Sequence, residues 1–218
     1  VEPRPAASKI VGGIYVIVDP DHCASQDIFD VAEATASAGA SVIQLRHKHA
    51  PEEIVAHEAR TIAQICRAND TLFIVNDAPE IAAEVGADGV HVGQGDLSIA
   101  ECRTILLPHQ IVGKSNALLD EAITSFEEGA DYIAVGSIYT TTTKSDTSPA
   151  GLSTLRAVAD RVTAPIVAIG GIKASNIEAV AKAGADSACV ATAVTLADDP
   201  AAATQELVER FADARISS

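Results

Sequence analysis

A closed (β/α)8 barrel is the fold this sequence predicts, and three observations carry the prediction. Short β-branched runs alternate with Ala-rich segments of helical period along the chain, the pattern of a parallel α/β fold. Eight of each fit within 218 residues, near the lower size limit of such barrels. There is also a repeat. Gly39-Ala40-Ser41, Gly86-Ala87-Asp88, Gly129-Ala130-Asp131 and Gly184-Ala185-Asp186 each close a helix and open an even-numbered strand, at spacings of 47, 43 and 55 residues. Glycine suits the left-handed position just past a helix end, and each spacing matches one two-strand unit of a barrel. A doubly wound open sheet is the competing fold. It would place a Gly-rich loop after its first strand, and Asp19-Pro20-Asp21-His22-Cys23 is not one.

The elements follow in order. The first strand is Ile14–Asp19, followed by a helix over Ile28–Ser37. Strand two, Val42–Arg46, leads to a helix over Pro51–Arg67, which starts with proline in its first turn and Glu52-Glu53 near its positive end. Leu72–Asn76 and Gly89–Val92 are strands three and four, each followed by a short helix, Pro79–Val85 and Ser98–Leu106. Strand five is Ile111–Ser115, and the helix Leu119–Glu128 after it turns Glu127 and Glu128 to solvent. Tyr132–Ser137, Ile166–Gly170 and Ser187–Ala191 complete the strands, with helices over Leu152–Asp160, Ser175–Ala183 and Ala201–Ala214. The expected organisation is an N-terminal extension over residues 1–12 and one catalytic barrel over 13–218.

Composition narrows the function. Thirty Asp and Glu against fifteen Lys and Arg give a formal charge of −15, so a nucleic acid or an anionic membrane surface would be repelled. An apolar fraction of 48% is enough for a large core and excludes a disordered chain. No apolar run approaches the roughly 18 residues of a membrane span, and the first residues lack the basic start and apolar stretch of a signal peptide. Cys23, Cys66, Cys102 and Cys189 lie far apart with no C-x-x-C pair, as expected of reduced thiols in a cytoplasmic protein. The chain begins at Val1 and contains no methionine, which fits a processed chain or a piece of a longer fusion.

In a barrel of this kind, polar residues at the C-terminal ends of the strands point into the mouth where chemistry occurs. Strand two ends Gln44-Leu45-Arg46-His47-Lys48, and period-two alternation sends Gln44, Arg46 and Lys48 to one side and His47 toward the helices. Strand three ends Asn76-Asp77, strand four runs on to Asp96, and strand five ends at Ser115. Strand six is followed by Thr140-Thr141-Thr142-Thr143-Lys144. Asp77 and Asp96 are hard oxygen donors suited to Mg²⁺ shared with phosphate groups. Arg46, Lys48 and Lys144 supply cations around them, with Asn76 between, as a metal–diphosphate site requires. The bland alternative is an Arg46–Asp77 ion pair at the top of the barrel, and a plain polar loop at Thr140–Thr143. Gly170-Gly171 after strand seven and Ala191-Thr192 after strand eight are where phosphate-binding barrels place backbone N–H groups around a phosphate. Two phosphate sites in one mouth suggest the joining of two phosphorylated molecules. His91, on a buried strand, reads as a hydrogen-bonded mouth or core histidine, and no His spacing points to zinc.

At these residues the chain resembles the thiamine-phosphate synthase family. Q-x-R-x-K is present as Gln44-Leu45-Arg46-His47-Lys48, N-D as Asn76-Asp77, and G-x-H-x-G-Q-x-D as Gly89 to Asp96. The G-x-I-[FY]-x-T-x-T-K loop runs from Gly136 to Lys144, and A-I-G-G-I from Ala168 to Ile172. The resemblance implies a transferase that joins an aminopyrimidine diphosphate to a thiazole phosphate, or its carboxylated form, releasing pyrophosphate. It implies Mg²⁺ on Asp77 and Asp96, and the pyrimidine on Gln44 and Ser115. The diphosphate falls to Arg46, Lys48, Asn76 and Lys144, with Leu45 and His47 in the same substrate-binding run. Thr141, Thr142 and Thr143 fall to the thiazole, and Gly171, Ala191 and Thr192 to its phosphate. Arg46, Lys48, Ser115 and Lys144 carry the catalytic roles. Such a dissociative step needs charge neutralisation and alignment more than a strong base, so no nucleophile–His pair is expected.

Three positions depart from the family pattern. Asn116-Ala117-Leu118 has no His after Ser115, Lys114 stands where a small or apolar residue is usual, and Ala191 replaces a Val or Ile. Two other functions are consistent with the barrel: a thiazole tautomerase-like enzyme, which would not need the metal–diphosphate residues, and a non-catalytic module of a longer thiamine-biosynthesis fusion. Homo-oligomerisation is open.

Overall fold

The structure, a computed structural model, describes residues 12–23, 26–140 and 150–216. Eight parallel strands close into a barrel in chain order: β1 Gly13–Val18, β2 Val42–Leu45, β3 Leu72–Asn76, β4 Gly89–Val92, β5 Ile111–Asn116, β6 Tyr132–Gly136, β7 Ile166–Ile169 and β8 Ser187–Val190, which returns to β1. The helices are α1 Ile28–Ser37, α2 Glu52–Ala68, α3 Pro79–Val85, α4 Ile99–Ile105, α5 Leu119–Glu127, α6 Gly151–Ala159, α7 Ile177–Lys182, α8 Thr192–Thr195 and α9 Pro200–Ile216. This is the (β/α)8 TIM barrel the sequence predicts, with strand ends within one residue of expectation. Two elements were not anticipated: the short α8, and a 3-10 turn over Pro20–His22 whose first N–H, that of Asp21, donates to Asp19 Oδ1 at 3.0 Å.

Alternation along the strands sorts the core into two layers. Tyr15, Val42, Leu72, Ile111, Tyr132 and Val167 fill the barrel, while Val16, Ile43, Phe73, Val90, Val112 and Ile133 face the helices. There they meet residues such as Val31, Ile62, Leu155 and Phe211. All four cysteines are buried and none is in a disulfide. Among the described residues no helix is long and apolar enough to cross a membrane.

The Gly-Ala-Asp repeat has a structural purpose at the N-terminal end of the barrel. Its glycines, Gly39, Gly86, Gly129 and Gly184, hold φ between +65 and +96°, turning each helix back into a strand. The aspartate that follows then reaches sideways. Asp88 Oδ2 accepts from Phe73 N at 2.8 Å, Asp131 Oδ2 from Val112 N at 2.7 Å, and Asp186 Oδ2 from Ile166 N at 3.0 Å. Each even strand is thereby pinned to the odd strand before it, through N–H groups at that strand's first or second residue. In the first copy Ser41 Oγ makes the equivalent tie, donating to Ile14 O at 2.9 Å. Arg103 and Arg215 in turn pair with Asp131 and Asp186. Asp131→Ala would leave the buried Val112 N–H without its acceptor, a loss of about 1–3 kcal/mol. Thermal unfolding should show a Tm lower by roughly 3–10 °C, and an unchanged Tm would refute the pinning role.

Candidate active site

The C-terminal ends of the strands open onto a cavity of about 460 Å³. Its floor is a line of hydrogen bonds running across the barrel. Gln44 Nε2 donates to Asn76 Oδ1 at 2.7 Å, and Gln44 Oε1 accepts from the Tyr15 hydroxyl at 2.8 Å. The Tyr15 and Tyr132 hydroxyls lie 3.1 Å apart. Tyr132 is 2.9 Å from His91 Nδ1, and His91 Nε2 is 2.8 Å from Ser115 Oγ. Barrel closure makes these contacts: Tyr15 and Tyr132 come from opposite sides, and His91 and Ser115 from adjacent strands. Burial, reinforced by the other phenol and by Cys189, pushes the Tyr15 hydroxyl well above its usual pKa. Burial likewise raises Tyr132, with its hydrogen-bond contact to Tyr15 acting in the opposite sense. Both phenols therefore stay protonated.

Ser115 and His91 do form a pair, where none was expected. Nδ1 of the histidine meets the Tyr132 phenol, a neutral group at the place where a nucleophilic triad sets the acid that stabilises its imidazolium. The expectation that His91 is a hydrogen-bonded mouth histidine holds.

Two walls rise from this floor. On one, Arg46 reaches over β1 and pairs with Asp19, which is 2% exposed and also lies 3.2 Å from His22 Nδ1. The barrel-top ion pair weighed for Arg46 and Asp77 is not formed. Backbone pairing explains this: Arg46 N donates to Val18 O, which seats Arg46 beside Asp19. Lys48 takes Asp77 instead, with Nζ 2.9 Å from Oδ2. β2 ends at Leu45, so Lys48 arrives through the turn after the strand and not by continued alternation. Asp77 occupies the left-handed region at φ +61°, where an Asp is tolerated better than most residues. Leu45 and His47 do not join the mouth. Leu45 packs in the layer facing the helices, and His47 Nδ1 is 2.9 Å from Glu58 Oε2 on α2.

The Asp77 and Asp96 carboxyls are close enough to act on each other's protonation. Burial lifts the Asp77 carboxyl above its ordinary range, with Lys48 opposing and Asp96 adding to the rise. Burial also pushes on Asp96, but the Gly93 N–H, the neighbouring Asp77 carboxyl and the charges of Lys48 and Lys114 outweigh it and leave it lowered. Gly93 N is 2.8 Å from Asp96 Oδ2. Two adjoining carboxylates, one shifted up and one down, are the arrangement in which one proton can be held between two acids. No cluster of three or more His, Cys, Asp or Glu residues is present among the described residues, so a cation here would draw its remaining oxygens from ligand and water.

The other wall comes from β7 and β8, the latter adjoining β1. Gly171, Ala191 and Thr192 all line the cavity, with Ile169 and Cys189 adding apolar surface. Gly171 has φ +66°, and a Cβ there would lie 2.7 Å from Thr140 O. Tyr139 and Thr140 are thus held tightly against the turn after β7, and Tyr139 N donates to Gly170 O at 3.0 Å. Thr141, Thr142, Thr143 and Lys144 lie outside the described residues. Sequence reasoning passed over several lining residues, among them Asp19, His22, Glu121 and Ser137. Asp19 carried a usable signal, an acid at the C-terminal end of a strand.

A closed barrel with its polar groups gathered at the C-terminal ends of the strands defines the class: a (β/α)8-barrel enzyme. Residues 14–194 match the family model described as thiamine monophosphate synthase, and the chain belongs to that family. It is 42% identical over 195 residues to a thiamine-phosphate synthase of Chloroflexus aurantiacus, covering 89% of this chain and 90% of that protein. It is 38% identical over 199 residues to one from Synechococcus, covering 90% of this chain but only 56% of that longer protein. Among solved structures, a thiamine phosphate pyrophosphorylase from Pyrococcus furiosus superposes with a TM-score of 0.86 at 35% identity, covering 93% of this chain and 96% of that one.

Proposed function

We propose that the cavity joins 4-amino-2-methyl-5-(diphosphooxymethyl)pyrimidine to 4-methyl-5-(2-phosphoethyl)thiazole, or its carboxylated form, giving thiamine phosphate and pyrophosphate, with CO₂ released as well when the thiazole is carboxylated. The observation that carries this reading is the division of one cavity into two walls. The Arg46–Asp19 pair and Asn76 line the cavity at the ends of β1 to β3, with the Lys48–Asp77 pair outside that lining, and Gly171, Ala191 and Thr192 line it at the ends of β7 and β8. Arg46, Lys48 and Asn76 hold the diphosphate, joined by Lys144 on sequence grounds. Gln44 and Ser115 hold the pyrimidine, Gly171, Ala191 and Thr192 surround the thiazole phosphate, and Thr141 to Thr143 contact the thiazole.

Asp77 and Asp96 would hold Mg²⁺. Bound there, the ion supplies positive charge to the leaving diphosphate. The C–O bond to the diphosphate breaks with its electron pair leaving on pyrophosphate, and the ring amine stabilises the pyrimidinyl-methyl cation that remains. The thiazole nitrogen then donates its pair to form the new C–N bond. The chain contributes alignment and preorganised cations, and no proton need be abstracted by a strong base.

A pyrophosphate-release assay with both substrates, with and without Mg²⁺, tests the proposal. Release that needs both substrates and the ion supports it. No release, or turnover of the thiazole phosphate alone, refutes it and points to the tautomerase-like reaction. Asp77→Asn should raise the Mg²⁺ concentration for half-maximal rate at least about tenfold without lowering the Tm. Asp96 and ligand oxygens remain, so the loss is partial. An unchanged Mg²⁺ titration would remove Asp77 from the metal site.

A further inference from the structure

The hydrogen-bonded line beneath the cavity has a direction, and that direction can be worked out from donor counts. Gln44 uses Nε2 toward Asn76 and Oε1 toward Tyr15, which spends the only hydrogen of the Tyr15 hydroxyl. The 3.1 Å contact between the two phenols must then be donated by Tyr132, and its only hydrogen is spent in turn. The 2.9 Å contact from Tyr132 to His91 therefore needs its hydrogen on Nδ1. A neutral imidazole protonated at Nδ1 has a bare Nε2, so the 2.8 Å contact with Ser115 is donated by the serine hydroxyl.

We infer that Tyr15 and Tyr132 are positioning residues that hold His91 in the Nδ1–H tautomer, so that Ser115 presents only lone pairs to the cavity and selects a ligand offering an N–H there. This rests on the cavity being the pyrimidine site proposed above. The two ends of the line then suit an asymmetric ligand. At one end Asn76 accepts from Gln44 through Oδ1, which leaves its NH₂ to offer to an anion. At the other, Ser115 accepts from an amine. Reversing every bond would offer the Asn76 carbonyl oxygen to the anion and a hydroxyl hydrogen to the amine, unfavourable at both ends. Both phenols are essentially without solvent contact, Tyr15 at 1% and Tyr132 at 0% exposure. Water therefore does not compete to reset the direction.

The direct test is the tautomer of His91 in ¹⁵N-labelled full chain without ligand, read from long-range ¹H–¹⁵N correlations and assigned with a His91→Gln variant. The expected pattern is protonated Nδ1 and bare Nε2, changing to protonated Nε2 in Tyr132→Phe. A His91 protonated at Nε2 or at both nitrogens in the unmodified protein would overturn the inference, as would an unaltered tautomer in a folded Tyr132→Phe. Should Tyr132→Phe fail to fold, Tyr15→Phe removes the same ordering one link further away. A binding comparison gives the consequence. The unmodified protein should prefer 4-amino-2-methylpyrimidine over its 4-oxo counterpart by about tenfold or more, one hydrogen bond's worth of discrimination. Tyr132→Phe should bring that ratio close to one. Equal binding by the unmodified protein would overturn the selective role of Ser115. Absence of pyrophosphate release alongside the expected tautomer and ratio would instead count against the joining reaction alone.

Discussion

Arg46→Ala is expected to lower kcat for pyrophosphate release by about 10²–10³-fold, the loss typical of one preorganised charge donor at a developing negative centre. Charge grows on the diphosphate as its C–O bond breaks, so an interaction with it strengthens in the transition state. The thiazole phosphate keeps its charge throughout, so its KM should move by no more than about twofold. The substitution also strips Asp19 of its cation. Asp19 is 2% exposed, and removing the partner of a fully buried carboxylate costs about 3–5 kcal/mol. The Arg46 side chain is 20% exposed, which reduces the expected loss to the order of 2 kcal/mol. A companion variant separates the two effects. Arg46→Ala combined with Asp19→Ala should regain most of the lost Tm and none of the lost kcat. Steady-state kinetics with each substrate varied in turn, beside thermal unfolding, decide the matter. A variant that altered only the thiazole KM would show that Arg46 belongs to the other wall.

The largest stability effect is expected at Gly113. A Cβ there would lie 1.9 Å from Cζ of Tyr132 and 2.3 and 2.4 Å from its two Cε atoms. The ring has no room to retreat, being fully buried and hydrogen-bonded through its hydroxyl to Tyr15 and His91. Gly113→Ala should therefore destabilise the barrel by about 3 kcal/mol or more, a Tm lower by roughly 6–12 °C for a chain of this size. Tyr132→Leu in the same chain should restore part of that loss, because it removes the atoms that collide. Tyr132→Phe should not, since the ring remains. Equal Tm values for the unmodified protein and Gly113→Ala would show that the floor yields, and would contradict its rigidity.

The barrel was readable because strand and helix periodicities recur eight times and because the repeat glycines mark each even strand. The mouth was partly readable for a related reason: position along a strand decides which residues reach its C-terminal end. Gln44, Arg46, Asn76, Ser115 and Thr192 could be found in this way, and all line the cavity. What could not be read was partnership. Arg46 and Asp19 are separated by 27 residues and meet because β1 and β2 pair in one particular register. Tyr15 and Tyr132 are 117 residues apart and meet only across the closed barrel. The Ser115–His91 contact is likewise a product of β4 lying against β5. Leu45 and His47 show the converse, two residues inside a recognisable motif whose side chains turn away from the cavity, Leu45 by the strand's alternation and His47, beyond the strand's end, through its contact with Glu58.

The aspartate pins at the N-terminal end of the strands have a bearing on how freely this molecule can change. Asp88, Asp131 and Asp186 take their strand N–H groups at the end opposite the cavity, and the arginines that meet Asp131 and Asp186 come from α4 and α9. None of these ties shares a partner with Gln44, Arg46, Asp77 or Ser115. The base keeps its shape whatever the rim presents. Substitutions at the rim are thus filtered mainly by what they do to ligands, and substitutions at the base mainly by whether the barrel closes. A chain divided in this way can be recut for a new reaction at one end without renegotiating its architecture at the other.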